Sequence, residues 1–164
     1  MSESIDKSQL LDTMRRARAG WDALLASVDE ARMTQPGVCG EWSVKDLIAH
    51  VAWFEREVVD LLQARALLGS DLWALPPDER NVAIFERNRH RSLNDVRAEA
   101  QQVFDTLWQL MESLAEEDLI DPNRFAGMPP DWQPAKLIAE NSCEHYPQHI
   151  PQIQAWLGKS DSIA

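Results

Sequence analysis

The sequence predicts an all-α bundle of four long helices. Apolar residues recur at three- and four-residue steps in long runs, clusters of Pro and Gly separate those runs, and no segment alternates strictly enough to read as a strand. With 164 residues, 45% of them hydrophobic, the chain can bury a real core, so a single domain over residues 5–158 is expected, with 159–164 as a flexible tail.

The first helix is expected from about Asp6 to Arg32, because Leu11, Met14, Trp21, Leu25 and Val28 keep a helical step. Arg18 interrupts that stripe, seven residues from both Leu11 and Leu25, where it either snorkels to the rim or reaches into a pocket and pairs with an anion. Pro36, Gly37 and Gly40 then mark a loop, and Ser43 caps a second helix that carries Val44, Leu47, Val51, Phe54, Val58 and Leu62 and fades near Gly69. His50 lies on the flank of this stripe. Asp46, one turn earlier, either accepts a hydrogen bond from the second nitrogen of His50 or opposes the helix dipole as an N-terminal charge.

A long crossover follows, with a short extra helix near 78–90 that Pro76 and Pro77 open and that turns Val82 and Phe85 inward. His90, in the run RNRHR, is expected in solvent. Ser92 and Asp95 resemble a cap for the third helix, where Val96, Ala100, Val103, Leu107, Leu110 and Leu114 keep the alternating step of bundle packing. Residues Glu116 to Gln133 read as a second long connection, and Pro134 opens the last helix. Pro147 and Pro151 each remove a helical hydrogen bond, so either a bend is expected there or the helix ends near Tyr146 and leaves the histidines on a turn.

A net charge of −11 argues against a nucleic-acid partner, whose phosphates are bound by Lys and Arg. The start MSESIDKSQLLDTM lacks the basic and apolar runs of a signal peptide, and no apolar stretch is long enough for a membrane span, so no membrane association and a cytoplasmic location are expected. Cys39 and Cys143 lack metal-pair spacing and read as reduced thiols. The seven tryptophans outnumber Phe and Tyr and read as core and pocket lining, with Trp42, Trp53, Trp132 and Trp156 as apolar walls and Arg18 beside them.

Chemistry concentrates near the C-terminus. On a continuous helix Ile138, His145, His149 and Trp156 share one face, so two imidazoles interrupt a buried stripe, and an i, i+4 pair can grip one metal ion. His50 offers the third ligand of an open, catalytic zinc-type site. The structural alternative is a pair of core histidines bonded to Asn141, Ser142 or backbone groups. H-E-x-x-H is absent, as are G-x-S-x-G, P-loop and dinucleotide glycine patterns, which disfavours a peptidase and excludes support for serine or nucleotide chemistry.

The stretches PGVCGEWSVKDLIAHVAWFE (36–55) and EHYPQHIPQIQAWL (144–157) together resemble the DinB-like superfamily, most closely its DfsB/ClbS-type branch, over nearly the whole chain. The Trp-Ser start of the second helix, the histidine seven residues after Ser43, the H-x3-H pair and the Trp-Leu ending carry the resemblance. It implies a four-helix bundle of up-down-down-up connectivity, a homodimer, and His50, His145 and His149 as a metal triad holding zinc or nickel. Similar proteins include S-transferases and isomerases that use mycothiol or bacillithiol, and hydrolase-like proteins that protect cells from a reactive genotoxin. The thiol-dependent isomerases place a carboxylate where this chain has His145, whereas the genotoxin-protecting branch shares its Glu-His-Tyr stretch. The expectation is metal-assisted transfer or hydrolysis of a small molecule, with a low-molecular-weight thiol as cosubstrate. The alternatives are a metal-free protective hydrolase or binding protein, and a non-catalytic dimeric bundle.

Overall fold

The computed structural model describes residues 6–161; the expected flexible tail lies beyond these residues from 162 onward, and Lys159 to Asp161 close the last helix. Among the described residues there are seven α-helices and no named strand: α1 (Lys7–Ala26), α2 (Val44–Ala64), α3 (Pro77–Asn88), α4 (Leu93–Ser113), α5 (Glu116–Ile120), α6 (Pro134–Glu140) and α7 (Tyr146–Asp161). The bundle consists of α1, α2, α4 and a fourth, interrupted rod made of α6 and α7. Contacts along the helices give the predicted directions. Lys45 of α2 donates to the carbonyls of Arg89 and Arg91 just before α4, and Arg65 after α2 pairs with Asp118 beyond α4, so these two helices run parallel. Lys7, at the start of α1, bonds the carbonyls of Glu112 and Leu114 at the far end of α4, so α1 runs against both.

Local signals set most boundaries. Ser43 and Asp46 form a reciprocal capping box at the start of α2, and Ser92 accepts from Asp95 N at the start of α4. Arg65, at φ 52°, ends α2 in a left-handed turn well before Gly69, held by Asp118 at 2.6 Å and by Ala126 N on its carbonyl. The first helix also stops early, at Ala26 rather than Arg32. Ser27 Oγ returns to the Leu24 carbonyl and Asp29 accepts from Ala31 N, so side chains offer the backbone a new turn instead of a continued helix. Pro77 opens the crossover helix as expected, but it buries Ile84 and leaves Val82 58% exposed. The helix α5 falls within what reads from sequence as connection; Asp118 builds it by accepting from Ala115 N.

The fourth rod departs most from expectation. A continuous helix would drive the Pro147 ring into the Cys143 carbonyl and leave that carbonyl without its donor. The chain instead leaves the helix at Asn141, bonds Glu144 N to the Ala139 carbonyl and His145 N to the Ser142 carbonyl, and restarts at Tyr146. Pro147 then occupies the first turn of α7, where no donor is needed, and Pro151 lies inside α7. Ile138 and the histidines therefore do not share one helical face.

Two apolar clusters fill the bundle. One gathers Leu10, Met14, Val58, Leu62, Leu107, Met111, Phe125 and Ile138 at the end where α2 and α4 finish; the other gathers Trp21, Val44, Leu47, Val51, Val96, Tyr146 and Ile153 at the end where they begin. Buried polar side chains lie between and beside them.

Candidate metal centre

Three histidines meet at the second end of the bundle. His50 comes from the second turn of α2, His145 from the turn before α7, and His149 from the first turns of α7. The break between α6 and α7 makes this meeting possible, because it lets His145 turn toward α2 independently of Ile138. His145 Nε2 lies 3.1 Å from His50 Nε2 and 3.0 Å from His149 Nε2, and the ligand atoms of all three rings lie within 4.8 Å of one another. His50 and His145 are buried and His149 is half-buried.

Each ring is kept neutral. Burial first, and then the neighbouring His145 and His149, push His50 down to about 2; burial followed by His149 pushes His145 down to about 3; burial also lowers His149, against the opposing effect of its bond to Gln152. The protons on these rings do not close the cluster. His149 Nδ1 lies 2.9 Å from Gln152 Oε1, an acceptor, so this ring carries its proton on Nδ1 and presents a lone pair at Nε2. A single proton on His145 Nε2 then cannot serve His149 and His50 together. Moreover, among the described residues the only buried side-chain nitrogens or oxygens without a hydrogen-bond partner are His50 Nδ1 and His145 Nδ1.

This donor set fits a divalent ion. Metal–nitrogen bonds of about 2.0–2.1 Å in a tetrahedral site separate ligand nitrogens by roughly 3.3–3.4 Å, close to the two spacings that His145 Nε2 makes with His50 and His149, and three ligands leave a position open.

The surroundings are aromatic. Trp42 meets His50 edge-on at 5.2 Å and stacks on Phe85 at 5.6 Å, while Phe54 packs against His50 at 5.0 Å and His145 at 4.8 Å. Trp53 stands one ring further out, against Phe54 and Trp73. Trp132 is 44% exposed on a separate cleft, and Trp156 lies under the Arg32 guanidinium and beside Gly37. Of the expected walls, Trp42 reaches the histidines; Phe54 and Phe85 are the partners that sequence reasoning missed. His90 is exposed, as expected.

The two residues expected to orient the histidines do other work. Asp46 Oδ2 accepts from both the N and the Oγ of Ser43, each at 2.8 Å, so the carboxylate caps α2 and does not bind His50. Asn141 Nδ2 donates to the Leu137 carbonyl at 2.8 Å and closes α6 rather than supporting His145. The position that does touch the triad, Gln152, bridges His149 to Cys39 Sγ, 3.5 Å from its Nε2. Its spacing from His149, i+3 on a helix, is the signal that was available.

Arg18 neither snorkels nor faces the triad. It is buried between Asp22 at 3.0 Å, the Tyr146 hydroxyl at 3.1 Å, Gln101 at 3.4 Å and Glu55 at 3.8 Å, above the Phe104 ring. Tyr146 in turn donates to Glu55, which is 1% exposed. Burial pushes Glu55 up to about 7 despite Tyr146 and Arg18, and burial likewise raises Tyr146.

Comparison with known proteins agrees with this architecture. The family model described as the DinB superfamily matches residues 13–153. No curated protein matches the chain. Among solved structures, the one titled Sibling Lethal Factor Precursor, DfsB, is 16% identical with a TM-score of 0.76, covering 96% of this chain and 98% of its own. An uncharacterised Escherichia coli UTI89 protein is 17% identical with a TM-score of 0.73 over 94% of both chains. A Streptococcus pneumoniae protein is 14% identical with a TM-score of 0.79, covering 96% of this chain and 92% of its own. At these identities the likeness is one of fold.

Proposed function

We propose, from the premise that this chain belongs to the DinB superfamily, that it is a metal-dependent protein whose His50, His145 and His149 hold a divalent ion, zinc or nickel, for transfer or hydrolysis on a small molecule. The observation that carries this reading is the convergence of three neutral Nε2 atoms whose own protons cannot satisfy one another. A bound ion supplies Lewis acidity, which makes a water or thiol a stronger acid near neutral pH. The chain's own residues supply the rest. Trp42 and Phe54 restrict water around the rings, and Gln152 fixes the orientation of His149. A low-molecular-weight thiol cosubstrate and a homodimeric assembly belong to the same proposal.

A metal-free protective or binding protein is the second reading. What favours it is that 3.0 and 3.1 Å are hydrogen-bond lengths, so one histidine pair can hold together without an ion. Elemental analysis of untagged protein purified without added metal decides between them, with His50→Ala and His149→Ala alongside. Near-stoichiometric metal that both variants lose is the expected result. A wild-type chain that stays empty after reconstitution, and that chelators leave unchanged, overturns it.

A further inference from the structure

Large hydrophobic side chains are exposed at five described positions, and three of them, Leu68, Trp73 and Trp132, line one cleft. It encloses about 880 Å³ between the second half of α2, the segment after it and the approach to α6, a size that suits a drug-sized molecule. Leu61 and Leu137 make its lining apolar. Its charged groups are three carboxylates, Glu57, Asp131 and Glu140, against the single ammonium of Lys136, which lies 3.7 Å from Glu140.

One wall is built in place. Trp73 Nε1 donates to Glu57 at 2.6 Å, the Arg80 guanidinium sits 4.4 Å from the ring centre, and a Cβ on Gly69 would meet the ring at 2.8 Å. Glu57 is held in turn by Ser70 N at 3.0 Å. Arg80 already covers Trp73, so the indole offered to a cation is that of Trp132, 44% exposed beside Asp131; a ring face next to an excess of carboxylate attracts a cation through the ring and the field together.

We infer that this cleft binds an amphipathic organic cation, an aromatic body carrying one ammonium-type charge. No histidine lines it, so the inference does not rest on the metal centre. A second copy of the chain is a poorer occupant, because a chain of net charge −11 would bring carboxylates against carboxylates there.

Calorimetric titration of the full chain with naphthylmethylammonium, the neutral naphthylmethanol and the anion naphthoate tests this, with sedimentation reporting the assembly state. The cation is expected to bind one per chain, about tenfold tighter than the alcohol, with no saturation by naphthoate. Trp132→Ala should weaken the cation about tenfold. The pair Asp131→Asn and Glu140→Gln should erase the preference for charge while the alcohol still binds. His149→Ala should bind like wild type, so loss of the metal reading leaves this result standing. Equal affinity for all three probes, or a cation affinity that Trp132→Ala leaves unchanged, overturns the inference. So does a dimer that Trp132→Ala dissociates without any heat of titration, which assigns the cleft to a second copy.

Discussion

Two buried polar clusters share the same two segments of chain and differ in one respect. His50 and Glu55 both project from α2, and His145 and Tyr146 are neighbours at the start of α7. The cluster of Arg18, Glu55 and Tyr146 is closed: every buried polar atom has a partner, and opposite charges face each other. The histidine cluster is open, with the Nδ1 atoms of His50 and His145 unpaired and ligand atoms of all three rings within 4.8 Å of one another. Burial therefore does not separate the two clusters. Closure does, because a closed network stabilises its own arrangement, whereas an open one becomes favourable only with a ligand.

The largest expected effect breaks the closed cluster. Arg18→Met leaves Glu55 and Asp22 without their cation and should cost about 3–5 kcal/mol in urea denaturation. His145→Leu, measured metal-free, should lie within about 1 kcal/mol of wild type or above it, since an apolar side chain replaces a buried imidazole whose Nδ1 lacks a partner. Equal losses in the two variants would erase the distinction.

Metal sharpens it from the other side. At a hundredfold excess over its dissociation constant, zinc or nickel should stabilise the wild type by about 2.7 kcal/mol and leave His149→Ala unmoved in thermal melts. An equal shift in that variant would place the ion elsewhere.

Acidity should act on the two clusters with opposite sign. Folding raises Glu55 from 4.5 to about 7, so the folded chain holds this proton more tightly, and stability present below about 4.5 is lost as the pH rises toward 7. Folding lowers His50 and His145 from 6.5 to about 2 and about 3, so their contribution is complete above 6.5 and is lost as the pH falls. Urea midpoints between pH 4.5 and 8 should lose their downward slope in Glu55→Gln, and their acid-side loss should shrink in His145→Leu to the part that His50 supplies. Slopes of one sign in both variants would contradict these assignments.

The smallest effect concerns a residue that only borders the open cluster. Asp46→Asn removes half of the capping box and should cost about 1 kcal/mol while leaving metal affinity unchanged. Weakened metal binding would return Asp46 to the role of supporting His50.

Much of this was legible in the chain. The 4-3 steps of α4, the Ser43 and Ser92 caps and the crossover opened by Pro77 all follow local rules that tertiary packing left intact. The triad was legible as residue types and not as geometry, because spacing along a helix assumed a continuity that Pro147 removes. Arg18 stood visibly on an apolar stripe. Its partner was equally visible, since Glu55 falls four residues after Val51 and three before Val58 on the stripe of α2; two opposite charges on two buried stripes are a pair waiting to be matched. Asp46 follows the second of its two readings, a charge at the start of α2, and Asn141 likewise serves the backbone, because short polar side chains one turn from a histidine reach main-chain groups more readily than a distant ring.

The interruption between α6 and α7 also bears on time. His50 and His145 stand 95 residues apart, so an ion shared between them fastens a long loop shut. Because α7 begins afresh at Tyr146, any opening that undocked it would separate His145 and His149 from His50 without unravelling α6. The lifetime of an ion bound by the three histidines would then be tied to that of the docked helix, and exchange of α7 amide hydrogens would slow in step with the dissociation of the metal.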